Sequence, residues 1–426
     1  MIEALRKRNL NDESNSAKGM LITAMAAVLI IYFALFVQFK RHSVNGVRMP
    51  DFSCFYNAGR MVISGDRTRL YDFALQASYD ARLQAELVHP RYSVPLLFVF
   101  PPFTLLIFAP LAFLPYAQAF AAWYALNVGM LLAVPFLLRG ILKFGNKSLS
   151  LVVLMTPFFL PIPNALGQGQ VSILLLLLFT LAFRDLVHGR ELRAGCMLAL
   201  ATFKPQFVLP FLLVLALTRN WKVLRGFFAT CSALFGVSIA IVGWKATLSS
   251  PRAMVELGRL PWKLGGEIPV LMFNLRGFAC NYLGSQLSNH ALRTGTLAAS
   301  AALVFLALVP FLDRRCKISA VSFSLIVAVT LLASYHAYVH DMSLLLLPFL
   351  LMASYIAETD LTPLRLAIAL TGGSLFIITS IYPPWFPICL LLFSVTLFLE
   401  TLRINTSDLP VKIKELRPAC VAGATR

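Results

Sequence analysis

Apolar runs of about 17–22 residues recur from one end of this chain to the other, each long enough to cross a hydrocarbon core about 30 Å thick. In lipid, every backbone N–H and C=O must find a partner inside the protein, so runs of this kind fold as helices. Composition agrees. The 426 residues are 58% hydrophobic and 13% charged, about half the charged fraction of a soluble domain. The expected fold is an all-α polytopic membrane protein of about 10–12 membrane helices, with no separate soluble domain.

The net charge of +18 suggests nucleic acid at first sight, but the basic residues cluster between the apolar runs. Clusters so placed are topology signals and phospholipid contacts, which excludes nucleic acid as a partner and leaves membrane lipids. The seven cysteines (Cys54, Cys196, Cys231, Cys280, Cys316, Cys389, Cys420) are scattered without a C-x-x-C pair, so neither a zinc nor a redox site is expected. Cys54 and Cys280 fall on one face, where free thiols are favoured over a disulfide. Arg6, Lys7 and Arg8 precede an apolar run too long for a secretory signal and followed by no A-x-A site, so the first span is read as uncleaved.

With residues 1–18 as a cytoplasmic tail, the first span is Gly19–Phe39 and Lys40–Pro95 becomes a long outer loop. "LLFVFPPFTLLIFAPLAFLP" carries Pro101, Pro102, Pro110 and Pro115, and proline removes backbone donors and kinks helices. It reads as re-entrant or surface-lying. Tyr116–Leu138 crosses inward to Arg139, Lys143 and Lys147. Leu149–Pro163 returns outward to "NALGQGQ", and Val171–Phe183 comes back to Arg184, Arg190 and Arg193. Between Ala194 and Thr218 the pattern breaks at "KPQ", as two half-helices meeting at Lys204-Pro205. Phe227–Trp244 leads to a second outer loop, Lys245–Arg293. Thr294–Leu312, Ile318–Ser334, Met342–Ala357, Leu366–Ile381 and Phe386–Leu402 then alternate, ending in a basic cytoplasmic tail, 403–426. Residues 19–402 form one transmembrane domain. This path collects most Lys and Arg on the inner side, as the positive-inside rule expects. The unusual polar motifs land together on the opposite side: Asp51, Gln168 and Gln170, Asn274-Leu275-Arg276, and His336, His340 and Asp341.

Asp51 follows Pro50 just ahead of a stretch able to form an amphipathic helix, so it suits both a helix N-cap and a general base near the membrane surface. The other outer acids are Asp66, Asp72, Asp80, Glu86, Glu256, Glu267 and Asp341, of which Asp341 is the second candidate. "YHAYVHD" groups His, Tyr and Asp at the edge of two spans, where such residues are costly unless partnered or functional. An interfacial aromatic belt is the plainer reading. His336 and His340 stand four apart, but without H-E-x-x-H and on a turn no metal site is expected. "GQGQ" is too short and wrongly placed for a phosphate loop, and its glutamines suit a sugar. A lysine at a helix break, Lys204, calls for an anionic partner such as a phosphate, with snorkelling as the alternative.

In order along the chain stand "PDFSCFYNAGRMVISGDRTRLYD", "PPFTLLIFAPLAFLP", "GQGQVSILLLLL", "FKPQFVLPFLLVLAL" and "SYHAYVHDMSLLLLP". Together they resemble glycosyltransferase family 87, which includes bacterial polyprenol-phosphate-mannose-dependent α-1,2-mannosyltransferases, over about Met49 to Leu402. The resemblance implies the C-type glycosyltransferase fold with its active site facing the periplasm of the bacterial inner membrane. It also implies that Asp51 matches the catalytic aspartate, and that His336, His340 and Asp341 fall in a late His/Asp motif. Tyr335 stands where many relatives have proline and His340 where many have an aromatic residue, which leaves open which histidine acts.

The chemistry implied is an inverting transfer of mannose, without metal or other cofactor, from a polyprenyl-phosphate donor to a glycolipid or glycan acceptor. Asp51 takes the acceptor proton. Lys204, His336, His340 and Arg276 hold the leaving phosphate, and Gln168, Gln170, Tyr56 and Asp341 complete the donor site. Another donor sugar such as arabinofuranose fits the same fold. A lipid or glycan transporter would also use broken helices around a polar cavity, but no internal repeat is evident, and a scaffold leaves the convergent polar motifs unexplained.

Overall fold

The computed structural model describes residues 2–45, 50–87, 94–142, 146–312, 318–381 and 383–406. The basic residues Lys143, Arg314, Arg315 and Lys317, the thiols of Cys316 and Cys420, and residues 407–426 of the tail lie outside that range. Among the described residues the fold is helical without strands, an all-α membrane protein. Cys54, Cys196, Cys231, Cys280 and Cys389 are free thiols.

α1 (Ile2–Asn45) extends well past the apolar run at both ends. α2 (Phe52–Ile63) and α3 (Phe73–Glu86) fill the first long loop. α2 is the expected amphipathic helix, and Asp72 caps α3 by accepting from Leu75 N at 3.1 Å. The proline-rich stretch gives a 3-10 turn and the short α4 (Leu105–Leu111). At about 10 Å long, α4 cannot span a bilayer, and it packs against α2. α5 (Tyr116–Leu137) is a full span. α6 (Asn146–Met155) and α7 (Pro161–Gln168) form an apolar pair bent by 60°, with Pro161 starting the second arm where its missing N–H costs nothing.

α8 (Ser172–Val187) returns, and α9 (Glu191–Leu200) and α10 (Pro205–Leu217) are the two half-helices. The break falls at Lys204, whose φ of −124° and ψ of 75° leave the helical region just before Pro205. α11 (Trp221–Val242) leads to the second long loop, which holds α12 (Trp244–Leu257) and α13 (Leu275–Leu283). α14 (Asn289–Leu308), α15 (Ala320–Ala333), α16 (Leu346–Ala357), α17 (Pro363–Ile381) and α18 (Phe386–Thr406) complete the bundle.

Six helices of the described residues are long and apolar enough to cross a membrane, seven if the bent pair counts as one span. The remaining apolar segments, Pro102–Leu111, Pro205–Leu217, Ala320–Ala333 and Pro363–Thr379, are shorter helices. α1, α11 and α14 turn large apolar side chains outward, among them Phe33, Phe228 and Phe305, the surface that lipid covers. α15 is the opposite: every residue from Val321 to Leu332 is buried, packed against α14, α16 and α18. Its start is fixed by a Ser319–Ser322 capping box. Straight after α15 come the residues of "YHAYVHD", which end in a 3-10 turn, Val339–Leu345, that packs against α7 and α8.

Candidate active site

Asp51 occupies the N-cap position of α2 but does not cap it. Its backbone is helical (φ −57°, ψ −19°) and its side chain accepts no bond from the first turn. The carboxylate instead meets the "GQGQ" turn. Gln170 Nε2 donates to Asp51 Oδ2 at 2.7 Å, and Asp51 N donates to Gln168 Oε1 at 3.2 Å. The glutamines expected to bind sugar are thus engaged with Asp51, though Gln170 Oε1 is buried without a partner.

This cradle depends on Gly169. Its φ of +61° closes α7 in the left-handed conformation, and a Cβ there would lie 2.7 Å from Phe52 Cβ. Trp123 Nε1 fixes the turn by donating to Gly169 O at 2.8 Å. Among the described residues no cation pairs with Asp51, and its Oδ1 is without a hydrogen-bond partner.

The second cluster begins two residues on. Ser172 Oγ donates to Asp341 Oδ1 at 2.8 Å, and Lys204 Nζ pairs with the same oxygen and reaches Ser172 Oγ at 3.3 Å. Lys204 and Asp341 are both buried. The anion that Lys204 calls for is thus supplied, in this structure, from within the chain by Asp341. The second oxygen of Asp341 accepts from Tyr338 N at 3.2 Å and lies 3.5 Å from His340 Nε2. A buried ion pair with its remaining lone pairs occupied is a structural anchor, and this one ties the helix break to the late motif. Asp341 is thus engaged by Lys204, unlike Asp51. His340, also buried, feels the charges of Asp51, Asp341, Lys204 and His336 together.

His336 and Arg276 form a third cluster around Glu267. Glu267 Oε1 lies 2.9 Å from His336 Nδ1, and Oε2 pairs with Arg276. The Arg276 guanidinium stacks on the Tyr335 ring at 3.8 Å and donates to Tyr335 O at 3.3 Å. Burial alone would push the Glu267 carboxyl up, but its bond to His336 and the charges of His336 and Arg276 outweigh burial and hold it below the usual range. Asn274 caps α13 through Gly277 N at 2.9 Å and donates to Ser334 O at 2.8 Å. Tyr56, expected at the sugar, spends its hydroxyl on Leu114 O at 2.8 Å.

The profile of glycosyltransferase family 87 matches residues 98–334, more than half of the chain. The chain belongs to glycosyltransferase family 87. Family 87 is a family of membrane glycosyltransferases. The matched stretch is shorter than the resemblance read from the sequence. It holds Gln168, Gln170, Lys204, Glu267 and Arg276, while Asp51, His336, His340 and Asp341 lie beyond its ends. Two relatives, each an alpha-(1->3)-arabinofuranosyltransferase of Mycobacterium tuberculosis (strains CDC 1551 / Oshkosh and ATCC 25618 / H37Rv), are 27% identical over 132 residues. That stretch is 30% of this chain and 30% of each relative, so the chain spans under a third of their length. No solved structure matches.

Sequence reasoning passed over Ser172 and the role of Glu267. Ser172 could have been found from its place in the turn after "GQGQ". Glu267 carried no such signal, because its partners are 9 and 69 residues away.

Proposed function

We propose that this family 87 enzyme transfers mannose from a polyprenyl monophosphate donor to a glycolipid or glycan acceptor at the periplasmic face of a bacterial plasma membrane, with inversion and without metal. One observation carries the reading: Asp51 is held by Gln170 through one oxygen, is spent on neither a cap nor a cation, and keeps its other oxygen open. A carboxylate so placed can take the acceptor hydroxyl proton while the acceptor oxygen attacks the anomeric carbon. The bond from that carbon to the phosphate oxygen breaks, and the polyprenyl phosphate leaves with the electron pair.

His336 is the better-placed histidine for that phosphate, since its side chain is 34% exposed whereas His340 is buried. Arg276 stands beside it. No D-x-D triplet occurs in the sequence, so the usual carboxylate pair for the metal of a nucleotide diphosphate is missing. A monophosphate needs less neutralisation, which Arg and His cations supply. The relatives named above support a second reading, with an arabinofuranosyl donor on the same site.

The test is turnover of the purified enzyme in lipid with polyprenyl-phosphate mannose, polyprenyl-phosphate arabinofuranose and nucleotide-mannose, chelator present, products read by mass. Transfer from the mannosyl lipid, lost by about 10²–10⁴-fold in Asp51→Asn, is the expected result. Activity on the nucleotide sugar alone, or full turnover in Asp51→Asn, overturns it.

A further inference from the structure

Glu267 belongs to none of the roles above, yet the second long loop is shaped to deliver it. It follows Gly265 and Gly266 between two 3-10 turns, Trp262–Leu264 and Pro269–Leu271. Gly265 has a φ of +92°, and a Cβ there would lie 2.6 Å from Pro95 O; a Cβ on Gly266 would lie 1.9 Å from Leu260 O. Only a chain without side chains at these two positions tucks in this way, and the carboxylate of Glu267 ends up 8% exposed.

The loop is then stitched to the late motif. Ile268 N donates to Tyr338 Oη at 3.0 Å and Phe273 N to Ala337 O at 3.0 Å, while Met272 and Tyr338 form a β-bridge. Each oxygen of Glu267 takes one nitrogen, and the two come from different segments: His336 Nδ1 from the late motif and Arg276 Nη1 from α13.

Resting on the reading of this site as one that seats a polyprenyl phosphate, we infer that Glu267 is a positioning residue, which holds His336 and Arg276 side by side as a preformed seat for the phosphate. A carboxylate at Nδ1 fixes the ring so that Nε2 is the atom turned toward a ligand, and among the described residues Nε2 has no hydrogen-bond partner. Among the described residues Arg276 has bonds through Nη1 alone, with its plane pinned on Tyr335, so it arrives ready oriented. Seating both beforehand spares the ordering cost that binding would otherwise meet. Glu267 itself touches neither phosphate nor sugar.

The opposite possibility is that Glu267 plugs the seat and must be displaced, and one experiment separates the two. Full-length enzyme in nanodiscs is titrated with polyprenyl monophosphate carrying no sugar, for wild type, Glu267→Gln, His336→Asn and the double variant. Where turnover is measurable, donor KM and kcat are read as well.

Positioning predicts that Glu267→Gln weakens binding about 10–100-fold, the size of one charge-assisted hydrogen bond. Donor KM should rise much more than kcat falls, and the double variant should lose less than the two single losses combined, exceeding His336→Asn alone only by the share that acts through Arg276. Glu267→Asp, which keeps the charge but withdraws it by one methylene, should lie between and covers the case in which Glu267→Gln does not fold. Tighter binding in Glu267→Gln, unchanged binding, strictly additive losses, or no binding to wild type would each overturn the inference. Failure of wild type to transfer sugar while still binding the phosphate lipid would count against the proposed reaction and leave this seat standing.

Discussion

Alanine at Gly169 places a methyl group 2.7 Å from Phe52 Cβ and 3.1 Å from the Phe120 ring, on a backbone held at φ +61°. The left-handed conformation alone costs an L-residue about 1–2 kcal/mol. Overpacking against fixed neighbours adds about 1–3 kcal/mol. The chain relieves this by shifting the turn, and the turn carries Gln168 and Gln170 on either side. The 2.7 Å bond from Gln170 to Asp51 is charge-assisted, and losing it is worth about 1.5–3 kcal/mol. Gly169→Ala should therefore lower kcat by about 10–100-fold, with a fall of a few degrees in unfolding temperature in detergent. Gln170→Leu removes the same bond without straining the turn, so it should lower kcat comparably and leave the unfolding temperature nearer to wild type. Wild-type kcat in both variants, with the proteins folded, would refute the idea that this turn sets the base.

Lys204→Met strands Asp341 as an unpaired buried charge, a loss of about 3–5 kcal/mol that should show as a marked drop in unfolding temperature. Lys204→Met with Asp341→Leu should recover most of it; a single variant as stable as wild type contradicts the ion pair. Burial in α3 pushes the Asp80 carboxyl from 3.8 up to about 6, against the opposing hydrogen bond from Gln84. Because the folded value is the raised one, the proton favours the folded state. Stability should fall as pH rises from about 4 through about 6, and the full penalty, about 3 kcal/mol for roughly two units, applies above that. Asp80→Asn should thus stabilise the protein at pH 8 and leave it unchanged near pH 4, read by thermal unfolding at both; equal effects at the two values would disprove the assignment.

The parts of the fold legible beforehand were those that local chemistry dictates. Pro205 lacks an N–H and disfavours a helical residue before it, so the break at Lys204 could be read from three letters. Pro101, Pro102 and Pro110 likewise foretold that α4 would not span. Asp51 could be singled out, but its partners could not, because Gln168 and Gln170 stand 117 and 119 residues away. The same distance problem hid the counter-ion of Lys204, Asp341, which is 137 residues on. Glu267 was one acid among several in a long loop, and only the folded path of Gly265-Gly266 lifts it out of that group.

The shortness of α15 reaches beyond packing. Fourteen residues make a rod about 21 Å long, set in a bilayer whose oily layer is about 30 Å. That is about 9 Å short of the oily layer, and every residue of it from Val321 to Leu332 is buried. On the reading proposed above, a helix this short would let "YHAYVHD", which follows it, lie below the level of the surrounding headgroups, so that a lipid-borne phosphate would descend to reach His336 and Arg276.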